Sequence, residues 1–310
     1  MNIRTKGYIM GAVASAAYGT NPLFALPLFD EGMDSDSILF FRYLLAIPMM
    51  AMLIFIRKGN LAVRWREVPM LAAMGLLVAT SSLTLFESLR FMDAGIASTM
   101  LFVYPVMVAL IMAIFFGERM TLRTIACLAL TVGGVMLLYR QSDGATISLK
   151  GSMLVMVSAL SYALYIVGVN RSRLKDMDSL KITFYSLLVG MAAFGVRTGF
   201  GEQLVVPHNY RMWLEVGGLA LFSTALSFAF ITMAIHYIGS TPTAILGALE
   251  PVTAIIIGVT VFGETLSSRI VCGVMLIIAA VTMIVAGGSV SERLKALVRH
   301  IPHPHKLGHS

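Results

Sequence analysis

Apolar residues run along this chain in stretches of about 20, the length a helix needs to cross the hydrocarbon core of a bilayer. Short clusters of charges, Gly, Pro, Asn and Asp interrupt them. The stretches fall at 7–28, 37–56, 68–88, 95–116 and 122–139, and, after Gln141-Ser142-Asp143-Gly144, at 150–169, 179–198, 212–235, 241–262 and 269–288. The pattern predicts an all-α integral membrane protein of ten transmembrane helices with no sizeable aqueous domain. The first stretch, with Arg4 and Lys6 ahead of it and Ala14-Ser15-Ala16 inside it, imitates a cleavable secretory signal.

Self-similarity along the chain argues that this stretch is retained. Phe116-Gly117-Glu118 recurs as Phe262-Gly263-Glu264, and the same shift of 146 carries Pro105 onto Pro251 and Arg123 onto Arg269. Lys6-Gly7 matches Lys150-Gly151 and Tyr18 matches Tyr162 at a shift of 144, so the first stretch has a partner in the sixth. The chain thus reads as two five-helix repeats, 1–143 and 147–290, followed by a basic tail, 291–310. Five is odd, so the second repeat is expected to enter the membrane in the opposite sense, as in secondary transporters built from inverted repeats.

Composition agrees with this reading and charge orients it. Of the 310 residues 58% are hydrophobic and 13% charged, with mean hydropathy +0.85. If both termini face the cytoplasm, 16 of the 23 Lys and Arg fall on the inner side and six on the outer, the bias of an inner-membrane protein. The net charge of +7 is then a topology signal, and nucleic acid is not an expected partner. Membrane lipids are. Cys127 and Cys272 both lie in apolar stretches and read as packing residues.

Several pieces of sequence, in this order and spacing, resemble the drug/metabolite transporter superfamily, in particular its EamA-type members. They are Phe41-Arg42-Tyr43-Leu44-Leu45-Ala46, Leu89-Arg90-Phe91-Met92-Asp93-Ala94-Gly95, Tyr104-Pro105-Val106, Phe116-Gly117-Glu118-Arg119, Leu249-Glu250-Pro251-Val252 and Phe262-Gly263-Glu264-Thr265. The likeness spans residues 5–288. It implies a ten-span carrier with cytoplasmic termini that moves small metabolites, often outward, by alternating access. Cargo varies across the superfamily, so substrate identity does not come with the resemblance.

Ionisable groups inside a span cost roughly 2.5–3.5 kcal/mol each on insertion scales, so they are the first functional candidates. Glu250 precedes Pro251, which lacks an N–H and is expected to leave the Gly247 carbonyl without its helical donor. Carboxylate and carbonyl together would suit a proton, a coupling cation or a substrate ammonium. A glutamate that merely ties spans together is the competing account. The matching position in the first repeat is Tyr104, before Pro105, so the prolines and Gly247 mark expected helix breaks. Arg42 in the second span would clamp a substrate carboxylate or, more in keeping with a buried charge, form a structural ion pair. Tyr18 and Tyr162 are expected near the pathway. Glu87 and Arg90, three residues apart, suit a local pair. His236 at the inner end of the eighth span suits either an interfacial role or a proton relay.

No Gly-x-x-x-x-Gly-Lys loop is present, so a gradient is expected to drive transport, with no cofactor and no metal. Zwitterionic amino acids or their analogues are the expected cargo of a site with one carboxylate and one guanidinium. An intramembrane enzyme is the main alternative, and the chain lacks the His-Glu-x-x-His dyad or clustered carboxylates it would need. A membrane sensor or scaffold would require a partner domain that these short loops leave no room for. A monomer or homodimer fits either case.

Overall fold

A computed structural model describes residues 3–117, 122–139, 148–238, 243, 246–280 and 282–283, and for residues 123, 124, 128, 138, 139, 235 and 236 the backbone alone. The basic tail, Glu118 and Arg119 lie outside the described residues. Every regular element among the described residues is helical. The first repeat contains α1 (Ile3–Gly19), α2 (Asn21–Asp30), α3 (Ser35–Ile56), α4 (Val68–Ser88), α5 (Ala94–Leu101), α6 (Tyr104–Phe116) and α7 (Leu122–Tyr139). The second contains α8 (Leu149–Arg171), α9 (Ser179–Arg197), α10 (Tyr210–Gly218), a π-helical segment (Leu219–Leu226), α11 (Ser227–Ile238), α12 (Leu249–Phe262) and α13 (Ser268–Ala280).

Six helical stretches among the described residues are long and apolar enough to cross a membrane: 35–56, 68–88, 94–116, 149–171, 179–197 and 210–234. Apolar α12, α13 and part of α7 are shorter. The bundle wears its greasiest residues outside, with Ile114 71%, Phe115 75% and Leu122 83% exposed. A surface of that kind is stable against lipid and costly against water. The chain is thus a multi-pass membrane protein.

Caps explain where helices begin and end. Asp34 Oδ1 accepts from Ser37 N–H at 2.6 Å to start α3, Ser148 Oγ from Gly151 N–H to start α8, and Asn209 Oδ1 from Met212 N–H to start α10. The recurring Phe-Gly-Glu marks two equivalent C-caps. Gly117 (φ 66°) closes α6 onto the Met112 carbonyl and Gly263 (φ 68°) closes α12 onto the Gly258 carbonyl, again 146 residues on. A left-handed residue at this position strongly favours glycine.

Helix packing repeats in the same register. α1 packs along α11 as α8 packs along α4, and α1 along α12 as α8 along α6; these contacts, like α3–α9 and α5–α12, join one repeat to the other. Gly7 abuts Tyr237 and Ile238, and its counterpart Gly151 abuts Phe91 and Met92, the equivalent pair. Ser227 Oγ donates to the Ala14 carbonyl at 2.9 Å, and at the matching crossing Ser158 Oγ donates to the Ser81 carbonyl at 2.7 Å.

Two ends of the bundle collect different loops. At one, Arg197 holds Asp36 through Nε at 2.6 Å, and Glu31 accepts from Asn209 and faces Arg211, joining the loops that follow α2 and α9. At the other, Lys181 Nζ donates to Asn60 Oδ1 at 3.0 Å, Tyr185 OH donates to the Leu61 carbonyl, and Arg66 and Arg173 line one cavity, joining the loops that follow α3 and α8.

Two expectations need adjusting. The first span is not one continuous helix: Thr20 interrupts it, because Pro22 has no N–H to continue the ladder and the chain restarts as α2. The eighth span widens into a π-segment between α10 and α11. In the ninth span Glu250 is the second residue of α12, directly after a turn at Gly247 and Ala248.

Candidate functional site

The site is assembled at helix interruptions. The fourth span breaks at Phe102 and Val103, between α5 and α6, and Tyr104 and Pro105 open the second half. In the second repeat the turn at Gly247 and Ala248 precedes Glu250 and Pro251. Both prolines sit in the first turn of the restarting helix, where a missing N–H costs little. The Gly247 carbonyl is not left free, as the proline alone suggests: the Glu250 N–H turns back to it at 3.0 Å. The tight turn replaces the bond that Pro251 removes, so the carboxyl of Glu250 stands without that carbonyl as a fellow ligand.

A third interruption meets the second. The end of α1 lies so close to the start of α12 that a Cβ on Gly19 would stand 2.6 Å from the Glu250 carbonyl oxygen. Around this junction, Tyr18 is within interaction range of Arg42, Tyr43 and Glu250, Tyr104 is within range of Glu250 and Tyr18, and Tyr162 is within range of Tyr104, Tyr18, Tyr165 and Glu250. The Tyr104 and Tyr162 rings meet edge to face with centroids 4.8 Å apart, a favoured aromatic geometry. Tyr18 and Tyr162 are repeat counterparts, as are Tyr104 and Glu250.

These groups lie deep in the bundle, yet Tyr18, Tyr104, Tyr162 and Glu250 are not closed off, each retaining partial exposure. Four polar side chains thus sit at the centre of the bundle without being fully enclosed. Arg42, by contrast, is buried at 5% exposure. Its Nε–H donates to Thr224 Oγ1 at 3.0 Å, and its guanidinium carbon lies 5.5 Å from the centre of the Phe86 ring. Among the described residues no carboxylate lies within 4.0 Å of it, so the structural ion pair expected for this arginine is not formed. Its remaining guanidinium donors are those that suit a ligand carboxylate.

Thr224 is positioned by the π-segment. Its hydroxyl donates to the Leu219 carbonyl five residues back at 3.2 Å while accepting from Arg42. Next to it Ser223 Oγ pairs with Thr20 Oγ1 at 3.3 Å across the α1–α2 interruption. π-segments of this kind recur at functional sites. Asn21 donates through Nδ2 to the Tyr18 carbonyl at 2.8 Å while its buried Oδ1 has no partner.

Not every sequence candidate gathers here. Glu87 sits 3.8 Å from Arg90 in a local, partly exposed pair near the loop. The His236 side chain lies outside the described residues. Thr224, Ser223 and Asn21 are contributors that sequence reasoning passed over. The signal available was a Ser-Thr pair inside an otherwise apolar span and an Asn-Pro step inside the first.

Comparison with known proteins places these features in context. The EamA-like transporter family matches residues 5–140 and 149–286. An uncharacterised transporter of Archaeoglobus fulgidus is 28% identical over 216 residues, 68% of this chain and 73% of the relative. An uncharacterised transporter of Synechocystis is 26% identical over 267 residues, 80% of this chain and 78% of the relative. A solved crystal structure, 16% identical, superposes over 94% of this chain and 99% of its own with a TM-score of 0.67, a likeness of fold.

Proposed function

Since this chain belongs to the EamA-like transporter family, we propose that it is a secondary transporter that exports small zwitterionic metabolites, amino acids or their analogues, across a bacterial cytoplasmic membrane by alternating access. In this reading ten spans form two five-helix repeats of opposite sense, 1–143 and 147–290, with both termini in the cytoplasm. Two observations favour opposite senses. The loops after α2 and α9 gather at one end of the bundle and those after α3 and α8 at the other, whereas a parallel repeat would group each loop with its own counterpart.

The observation that carries the substrate class is Tyr18, within interaction range of both the Arg42 guanidinium and the Glu250 carboxyl. In this reading the cation, the carboxyl and the three tyrosines line one crevice. A zwitterion presents its carboxylate to Arg42 and its ammonium to Glu250, and the Tyr104–Tyr162 pair offers an apolar wall to a side chain. Glu250 is also the group best placed to carry a coupling proton between the two open states, and the turns at Gly247–Pro251 and 102–105 are the hinges. The test is counterflow of radiolabelled amino acids in proteoliposomes of the purified protein. Accumulation that depends on an unlabelled zwitterion inside, and is lost with its amine or its carboxyl, is expected. Flux of uncharged or purely anionic metabolites alone would overturn the assignment.

A further inference from the structure

The Phe-Gly-Glu repeat has a second duty at its glutamate. Glu264 lies two residues beyond α12, yet its carboxylate reaches the start of α5 in the other repeat. Oε1 accepts the Ala94 N–H at 2.8 Å and Oε2 the Gly95 N–H at 3.4 Å. These N–H groups have no intrahelical partner and concentrate the positive end of the helix dipole. Asp93, the residue in the capping position, makes no such bond from its own side chain. The cap therefore comes from 170 residues away.

The surroundings are shaped for that carboxylate. The Glu264 N–H is tied to the Gly258 carbonyl at 2.9 Å, and Gly263 turns the chain at φ 68° so that the side chain points back along α12. A Cβ on Gly258 would collide with the carboxylate, and one on Gly95 would stand 3.3 Å from Oε2 and 2.8 Å from Ile255 Cγ1. α5 is buried at every position except Ser98, whereas in α6, the other half of the same span, only Val106 is buried. The end of the span that Glu264 holds is thus the half packed inside the protein, and it leads through Phe102 and Val103 to Tyr104.

We propose that Glu264 is a latch that keeps this mouth of the crevice closed, and that the transport cycle must release it from Ala94 and Gly95 before α5 can swing away from α12. The proposal rests on the alternating-access reading above. Glu264 acts on the position of a helix half and touches no substrate.

Pulsed dipolar spectroscopy tests it without relying on flux. Spin labels at Arg90→Cys and Thr265→Cys, both exposed and one on each side of the latch, are placed in protein carrying Cys127→Ala and Cys272→Ser. A single short distance is expected with Glu264 intact. In Glu264→Ala and Glu264→Asp the ratio of short to long distances should fall by about tenfold or more, as when charge-assisted hydrogen bonds are lost. Glu264→Gln, with one acceptor left, should lie between. Ala94→Pro deletes the better of the two donors from the opposite side at a first-turn position that accepts proline, and should reproduce the opening even if the glutamate variants fold poorly. Its effect should not add to that of Glu264→Ala. Folded variants with the parent distance distribution would overturn the latch. Failure of all flux with the distances shifted would overturn the transport reading and leave the latch standing.

Discussion

Arg42 Nε–H donates to Thr224 Oγ1 at 3.0 Å, joining the second span to the π-segment of the eighth across 182 positions. A buried guanidinium needs every acceptor it can find, and the threonine is free to accept because its own proton goes to the Leu219 carbonyl. Arginine, threonine and π-turn form one unit. Replacing Thr224 by valine keeps the shape and removes the acceptor, leaving a buried charged donor unsatisfied at a cost of about 1–3 kcal/mol. The expected result is a lower unfolding midpoint in detergent for Thr224→Val, and a smaller loss for the same change made on an Arg42→Leu background. Equal losses in the two backgrounds would show that the bond contributes nothing.

Glu250→Gln preserves size and hydrogen-bonding reach and removes the charge. With insertion and folding intact, it should abolish uptake and efflux in proteoliposomes, because neither a proton nor a substrate ammonium finds its counter-charge. Full flux by this variant would exclude Glu250 from the transport site.

Close approach at the junction of α1 and α12 predicts a contrast between two glycines. Gly19→Ala drives a methyl to 2.6 Å from the Glu250 carbonyl oxygen, and overpacking of this kind costs about 1–3 kcal/mol. Gly133→Ala in α7 meets nothing within 4 Å and should be neutral or slightly stabilising, since alanine is the better helix former. Thermal unfolding of the two variants side by side checks this. A Gly19→Ala protein as stable as the parent would mean that α1 and α12 separate freely.

Outside the spans, burial raises the carboxyl of Asp93 above its ordinary 3.8, and burial together with neighbouring Asp93 raises that of Glu264 above 4.5 in spite of its two backbone donors. A raised native pKa means the folded state binds the proton more tightly than the unfolded chain. These groups therefore favour the fold below their unfolded values and oppose it progressively as pH rises through the native ones. Asp93→Asn removes one opposing charge. It should raise the unfolding midpoint at pH 7 and make no difference below about pH 3, where both states are protonated. A gain that persists unchanged in acid would place the effect in packing.

Arg64→Cys and Arg173→Cys should react with a membrane-impermeant thiol reagent from one and the same side, the cytoplasmic one. The loops that carry them are brought together by the Lys181–Asn60 bond and the shared cavity of Arg66 and Arg173. Labelling from opposite sides would break the ten-span, opposite-sense arrangement.

Much of the architecture could be read along the chain. Runs of about 20 apolar residues have only one stable fate in a bilayer, a helix whose backbone bonds are internal. The register of the repeat, Pro105 with Pro251 and Gly117 with Gly263, carries local conformational rules of its own, since proline breaks a ladder and glycine takes the left-handed cap wherever they fall. That is why the breaks near Pro105 and Pro251 could be expected from the chain alone. What only the tertiary structure decided is which partners distant residues found. Arg42 met a threonine and a ring where a carboxylate was expected, the Gly247 carbonyl was satisfied by the neighbouring Glu250 N–H, and Glu264 capped a helix of the opposite repeat. Local sequence states what a side chain can bond to. The packing of α1 on α11, α5 on α12 and the π-turn at Thr224 sets which of those bonds lies within 3 Å, because a displacement of one ångström in a close-packed bundle exchanges one partner for another.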